Sequence, residues 1–317
     1  MWASSSPIWC FVEKNKLVLI TGATGHSGRY AIERLAARKA EDMGFRFRVL
    51  VRESSDVSFI QSCGLPMEVA RGDILDDAAL ERALLGADVL LNIFGIICDP
   101  ARVTRMALAA GVRRVISVHT TGVYSRFKNA RKNYLESDRQ VSELCRAAGA
   151  DLTILRPTMI YGDVDDQNVI TFIRMMDRFP VMPVVSGARF PLQPVLRRDL
   201  GYAYADVLLS GDATKGKNYA LSGRDPILLR DMLTVIAGYL HKPARFLSVP
   251  FWLAYAGAWG VYLITLTKMD YREKVQRLVE PRAYSHEDAS RDFGYAPMSF
   301  AEGVKDETAA YLAGCGR

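Results

Sequence analysis

Cysteine and histidine are both scarce in this 317-residue chain. The five cysteines, Cys10, Cys63, Cys98, Cys145 and Cys315, form no CxxC pair. None stands at zinc spacing from His26, His119, His241 or His286. An odd, scattered set excludes a disulfide-stapled scaffold and suits a reducing compartment, so a cytoplasmic location is expected and no metal centre is. A strong excess of one charge is also lacking. The 41 Lys+Arg stand against 35 Asp+Glu, a net +6 that is mild at this length. It permits weak attraction to phosphate-bearing ligands or anionic lipid and gives no argument for nucleic acid. With 50% apolar and 24% charged residues, chains of disordered or collagen-like composition are excluded. No repeat or low-complexity tract occurs. The opening MWASSSPIWCFVEKNK has neither the basic start nor the apolar stretch of a secretory signal. Residues 1–13 read as a tail.

Long hydrophobic runs are few. Residues 246–267 carry no formal charge over 22 residues, which calls for a membrane test. Pro250 interrupts the start, and about 17 residues then remain, the low edge of what crosses a bilayer. The reading is a buried or interface-lying amphipathic helix. Membrane-surface attachment and a true span are the alternatives.

What the chain does have is alternation. Residues 16–21 (KLVLIT) are a short apolar run ending in a glycine-rich turn, which predicts a buried strand. Helix 29–38 follows, with Ile32, Leu35 and Ala36 at helical spacing. Further strands are predicted at 46–52, 67–70, 88–93, 114–118 and 152–156. Helices are predicted at DDAALERALLGA, 103–110 and 134–148. This rhythm predicts an α/β fold, a doubly wound parallel sheet with helices on both faces. The later half is less regular, with helices at 200–209 and 228–239, a strand at 218–221, and mostly helix beyond Pro226. The expected domains are 14–225 for the sheet, with 163–191 contributing to a second lobe, and 226–317 for that smaller, substrate-facing lobe.

The strongest signal is TGATGHSG, with Gly22, Gly25 and Gly28 between the first strand and the first helix. In that context a glycine pattern becomes a dinucleotide fingerprint. A pyrophosphate must approach backbone amides closely, and a Cβ would obstruct it. The helix N-terminus adds unsatisfied N–H groups and the positive end of a dipole. Thr24, His26 and Ser27 lie within this turn, and His26 is placed to help hold phosphate. The second strand ends Val51-Arg52. An arginine there pairs with a 2′-phosphate and favours NADP(H). Glu53 follows and keeps NAD(H) open, because a carboxylate accepts from a ribose hydroxyl.

The glycine spacing i, i+3, i+6 together with TGATG resembles the extended and atypical short-chain dehydrogenase/reductase proteins, including the NAD-dependent epimerase/dehydratase group. The resemblance runs through LITGATGHSG, LVR, RGDILD, VRRVISVHTTGVY, LTILRPTMIYG, PVLRRDL and SHEDASRDFGYAPMSFAEGV, nearly the whole chain. The last piece resembles the closing segment of nucleotide-sugar epimerase-like proteins. The resemblance implies a Rossmann sheet and an NAD(P) cofactor. It places Asp73 and Ile74 by the adenine, Phe94 along the cofactor, and Pro157, Thr158 and Met159 against the nicotinamide. A helix cap is the other reading of Asp73. A substrate, taken as a nucleotide sugar or related carbohydrate, then meets Tyr161, Arg189, Gln193 and Arg224. Gln193 and Asp199 match a segment that closes over the cleft.

The resemblance also implies a catalytic Ser/Thr and a Tyr-x-x-x-Lys helix. Thr120 takes the hydroxyl position, with Thr121 in reserve. Tyr134 takes the acid/base position, with Tyr124 as the alternative. The lysine is missing, because Asp138 stands in its place. A lysine lowers the tyrosine pKa, whereas a lone carboxylate raises it. Lys128, Lys132 and Arg139 are the nearby cations, and Asp138 is expected to pair with Arg139 or Lys132 across solvent. Three functions therefore stay open. One is an NAD(P)-dependent epimerase, dehydratase or reductase. The second is a dinucleotide-binding module with little catalysis, like the redox sensors and the respiratory-complex accessory subunit of this family. The third is a reductase of an apolar alcohol or ketone at a membrane surface. A monomer or a homodimer is expected.

Overall fold

The computed structural model describes residues 15–95, 98–265 and 271–316, without the side chains of residues 128–132. The tail 1–13, Cys10, and the side chains of Lys128 and Lys132 fall outside it.

The central sheet has seven strands. They are β1 (Lys16–Thr21), β2 (Phe45–Val51), β3 (Met67–Arg71), β4 (Val89–Asn92), β5 (Arg114–Val118), β6 (Asp151–Pro157) and β11 (Asn218–Leu221). Their order is β11-β6-β5-β4-β1-β2-β3, and every pairing is parallel. β1, β4 and β5 are buried on both faces, hence their near-continuous runs of Val, Leu and Ile. Chain order reverses between β1 and β4, which opens a crevice at the strands' carboxyl ends.

Helices cover both faces. On one side α1 (Gly28–Ala37) crosses α7 (Arg197–Leu209) closely. A Cβ at Gly201 would sit 2.4 Å from the Ser27 carbonyl oxygen. On the other side α3 (Asp77–Leu84), α4 (Pro100–Ala109) and α5 (Lys128–Ala147) pack on a core of Leu19, Leu80, Leu84, Leu90 and Val115.

A second core belongs to the smaller lobe. It joins α6 (Val169–Arg178), α8 (Leu229–Tyr239) and α12 (Phe300–Gly314) through Ile173, Met176, Leu233, Ile236 and Val304. Val169, Ile170, Met182, Val184 and Ala188 also lie in it. The expected boundary at 226 needs one revision. Helix α11 (Glu287–Phe293) returns to the sheet edge, where Ala289 and Tyr295 join the core on the α1–α7 side, with Ile32, Leu35, Val207 and Leu221, and Phe293 meets the Tyr219 ring at 5.1 Å.

The apolar stretch forms α9 (Phe251–Ile264), which is neither buried nor amphipathic. Only Ala258 is buried, while Trp252 is 69% and Ile264 83% exposed. Among the described residues no helix is long and apolar enough to cross a membrane. No described cysteine is bonded to another. Cys98 and Cys145 fill core positions, and burial pushes the Cys145 thiol up to about 11.

Candidate active site

The glycine turn is tight because three backbone segments meet in it. Gly22 has φ +77°, a left-handed conformation suited to glycine. A Cβ on Gly28 would lie 2.0 Å from the Gly22 carbonyl oxygen, and the Gly25 amide donates to that same oxygen at 3.0 Å. Beneath the turn, the Thr21 hydroxyl donates to Asn92 across the β1–β4 switch point at 2.7 Å. Nothing but backbone fits here, as a pyrophosphate cradle requires. Ser27 caps α1 without a side-chain bond, and Phe94 presses its backbone against Gly22. The residues present therefore fit a dinucleotide.

A cleft of about 890 Å³ flanks the turn, lined by Thr24, Gly25, His26, Arg29, Phe59 and Cys63 among others. His26 does not stand free to meet phosphate. Its Nδ1 lies 3.9 Å from Asp163 and 3.7 Å from Asp165, and Arg197 bonds Asp163. These contacts tie the turn to the loop before α6. Past β2, the Arg52 side chain is exposed, and Arg71 donates to the carbonyls of Arg52 and Glu53, fixing that corner. Asp73 is not the helix cap. It accepts from Leu75 N in its own turn, whereas Asp76 caps α3. Ile74 packs on the α3–α4 core, and its carbonyl accepts from Arg102.

A second cavity, of about 230 Å³, shares no lining residue with the first. Thr120, Thr121, Gly122, Thr158, Met159 and Gln193 reach it from the sheet side. Thr120 Oγ1 accepts from Gly122 N at 3.0 Å, so its own proton stays free to donate. A Cβ at Gly122 would sit 2.6 Å from the Tyr134 ring and 3.3 Å from the Thr120 methyl group. Only glycine lets Tyr134 lie against this turn, beside Thr120. Thr121 is occupied, donating to the Pro157 carbonyl at 3.1 Å. Tyr124 is half exposed, beside Tyr284 at 5.4 Å with the Arg156 guanidinium over it at 5.8 Å.

Asp138 overturns the expected surface pairing. It turns inward, only 13% exposed, and bonds His119 at 2.5 Å and Arg156. Arg139 pairs instead with Glu136 and Glu143 on the outside of α5. His119 ends β5 and Arg156 lies near the end of β6, both buried. Burial alone would raise the Asp138 pKa, but the His119 and Arg156 bonds outweigh it and hold the carboxyl below its ordinary value. The negative charge expected to bear on Tyr134 is thus balanced by a guanidinium inside the protein.

The expected substrate residues scatter. Gln193 lines the cavity, though its amide is engaged with Gly223 O at 2.7 Å and Tyr284 N at 2.9 Å. Tyr161 is a core residue, 1% exposed, packed on Phe300 and Gly303, and so cannot meet substrate. Arg189 is exposed outside the cavity, and Arg224 pairs with Asp225 and Glu302 at the surface. Asp199 is buried and accepts from Met298 N at 2.7 Å, which joins the lobes.

The cavity also recruits residues that the sequence reading missed: Ser125, Asn168, Arg277, Glu280, Arg282 and Tyr284. Arg277 is on α10 (Arg272–Leu278), and Glu280, Arg282 and Tyr284 are in the loop after it. No regular pattern marks this stretch.

Residues 22–179 match the family model described as NAD(P)H-binding. A ceramide reductase of Caulobacter vibrioides is 34% identical over 182 residues, which cover 54% of this chain and 54% of that protein. The chain thus spans about half the length of that relative. A (4-alkanoyl-5-oxo-2,5-dihydrofuran-3-yl)methyl phosphate reductase of Streptomyces griseus is 30% identical over 232 residues, covering 73% of this chain and 76% of that protein. In fold, the crystal structure of a nucleoside-diphosphate-sugar epimerase from Pseudomonas aeruginosa superposes with a TM-score of 0.71. It is 18% identical and covers 94% of this chain and 98% of its own.

Proposed function

The chain belongs to the NAD(P)H-binding epimerase, dehydratase and reductase proteins of the short-chain dehydrogenase/reductase family, and on that premise we propose that it is an NADPH-dependent reductase of a small oxo compound. The observation that supports this reading is the turn at Gly122, against which both the Tyr134 ring edge and the Thr120 methyl group lie. The glycines of residues 22–28 would hold the pyrophosphate, Arg52 the 2′-phosphate, and Pro157, Thr158 and Met159 the nicotinamide end. When bound, that cofactor would supply hydride-transfer chemistry at the carbonyl carbon. Thr120 donates a hydrogen bond to the carbonyl oxygen and fixes its direction. Tyr134 gives that oxygen a proton as negative charge develops.

The small cavity favours a compact substrate over a nucleotide sugar, since pockets for ligands of drug size run from about 300 Å³ upward. Arg189 and Arg224, the expected diphosphate partners, do not line it. The finer expectation of a nucleotide sugar therefore draws little support from the geometry.

One observation favours a second reading, a binding module without turnover. Position 138, one turn beyond Tyr134, holds aspartate and not lysine, and Asp138 with Arg156 contributes no net charge there. The two readings separate by assay. NADPH binding is followed by fluorescence and its consumption by absorbance, over a panel of small oxo compounds. Thr120→Val and Tyr134→Phe should each lower kcat by about 10²–10⁴-fold and leave NADPH affinity unchanged. Turnover that survives both substitutions would sink the reductase reading, and binding without turnover by the wild type would establish the module.

Helix α9 supports contact with an anionic lipid surface. It presents Trp252, Leu253, Leu263 and Ile264 to solvent, carries no charge, and is flanked by Arg245, Arg272 and Lys274. Flotation with phosphatidylglycerol vesicles should be lost in Ile264→Glu. Equal flotation of both proteins would remove the proposal.

A further inference from the structure

Arg282 is a partly buried arginine whose guanidinium finds no acceptor among the described residues. Its Nε is sealed from solvent and unpartnered, and among the described residues its side chain makes no hydrogen bond or ion pair. Its backbone is fixed, because the amide donates to Pro191 O at 2.8 Å and the residue bridges Leu192. Burial, with Arg277 adding to it, lowers its pKa to about 10, so it remains charged at neutral pH. A guanidinium carries five donors, and its Nε donor, sealed here without a partner, is costly to leave unmade. A ligand bound by the remaining donors would offset that cost.

The surroundings say what would complete it. Arg282 lines the cavity that holds Thr120, and Arg277 lines the same wall. Among the described residues, Arg277 has one ion pair, a long contact to Glu273 at 3.8 Å. Glu280 is the one carboxylate in the lining, and it is already used. It accepts from the Ser125 hydroxyl at 3.0 and 3.2 Å and from Arg126 N at 2.5 Å. Two cations against one engaged anion leave the wall positive. A planar guanidinium matches a carboxylate or phosphate in two parallel bonds.

We propose that Arg282, assisted by Arg277, binds a compact oxyanion on the substrate, so that the substrate is a short oxo-carboxylate or oxo-phosphate whose carbonyl faces Thr120. This rests on the reductase reading of the Thr120 cavity. It makes Arg282 a specificity residue, distinct from the groups at the reacting oxygen.

The test is calorimetric binding to the full chain loaded with NADP⁺, which cannot reduce the probes, with acetoacetate, dihydroxyacetone phosphate and neutral methyl acetoacetate as probes. At least one anionic probe should bind, and the tighter of the two names the headgroup. The methyl ester should bind at least about 10-fold more weakly than the acid. Arg282→Gln should weaken the anion by about 10- to 100-fold, and Arg277→Gln by less, with NADPH affinity unchanged. Arg282→Met should abolish anion binding and raise the Tm of the cofactor-free protein, because it removes a partly buried, unpaired charge. A structural arginine would instead lower Tm when replaced. Failure of both anions to bind, equal binding of ester and acid, full affinity in Arg282→Gln, or a lowered Tm in Arg282→Met would each overturn the proposal. NADPH affinity, read separately, shows whether the cofactor reading fails instead.

Discussion

The glycine turn at residues 22–28 and the ion cluster around Asp138 both lie at the carboxyl edge of the central sheet, but they are built differently. The turn is a backbone device. Its shape follows from three segments so close that a Cβ at Gly28 has no room. The cluster is a side-chain device, in which a carboxylate on α5 answers a histidine on β5 and an arginine on β6. Backbone crowding admits few alternatives, so the cofactor cradle retains the glycines that its family resemblance implies. Charges can re-pair, so the position below Tyr134 holds the opposite sign from the one implied and still closes its own balance.

The comparison breaks most visibly at Asp138. Asp138→Asn strips Arg156 of its carboxylate partner in a buried setting and should cost about 3–5 kcal/mol, measured by urea unfolding. Asp138→Lys should be worse, because it sets a second cation against Arg156. The lysine implied by the family therefore cannot simply be restored. The folded pKa of Asp138 is lowered. Its contribution is present above the ordinary carboxylate range, near pH 4, and is lost as pH falls through the lower folded value. The gap between wild type and Asp138→Asn should accordingly close in acid. A gap that stays constant to pH 2 would remove the ion pair from the account.

Gly28→Ala probes the other side of the comparison. Overpacking costs about 1–3 kcal/mol, and contact with a backbone carbonyl puts this variant at the upper end. NADPH binding should disappear with the turn's shape. Retained affinity would mean that the cradle lies elsewhere. Gly25→Val, whose Cβ stands 3.2 Å from the same oxygen, should keep more of the fold and still lose the dinucleotide.

Arg52→Ala sharpens the cofactor reading. It should weaken NADPH by about 1.5 kcal/mol, the low end for a hydrogen bond to a charged group because the side chain is exposed, and hardly touch NADH. Equal loss for both cofactors would assign Arg52 to a shared phosphate.

The smallest effect lies at the seam between the lobes. Burial, followed by the facing Asp166 carboxylate, pushes the Glu307 pKa up to about 9, against the Gly162 N–H bond that opposes it. A carboxyl raised this way is neutral in the folded protein at pH 7. Stability is lost as pH rises from the ordinary carboxyl range toward that value. Glu307→Gln keeps an acceptor for Gly162 and removes the loss. Its Tm gain near pH 5 should be a few degrees, on the scale of about 1 kcal/mol, and should widen toward pH 9. A gain independent of pH would place the effect in packing alone.

The sheet was legible because buried parallel strands are written as apolar runs such as LVLI and RVISV, and because TGATGHSG stands between a strand and a helix. Thr120 and Tyr134 came from the resemblance, and the contact at Gly122 brings them together. The inward turn of Asp138 was readable only in outline. His119 and Arg156 near the ends of two buried strands imply a counter-charge, but not which residue supplies it. Arg277, Glu280 and Arg282 carry no periodic signal, since a loop after a short helix brings them to the cavity. Tyr161 was misplaced because a two-residue strand, Ile160–Tyr161, turns its ring into the second core, and alternation at that length cannot be read.

The central claim is that the pair beside Gly122 acts on a carbonyl despite the missing lysine. Single-turnover consumption of pre-bound NADPH on adding acetoacetate or dihydroxyacetone phosphate, in wild type and Tyr134→Phe, tests it most directly. The wild type should convert the probe to the hydroxy product and Tyr134→Phe should do so about 10²–10⁴-fold more slowly, with equal NADPH occupancy in both. Full NADPH occupancy with no conversion by the wild type, or conversion at the same rate in Tyr134→Phe, would contradict it.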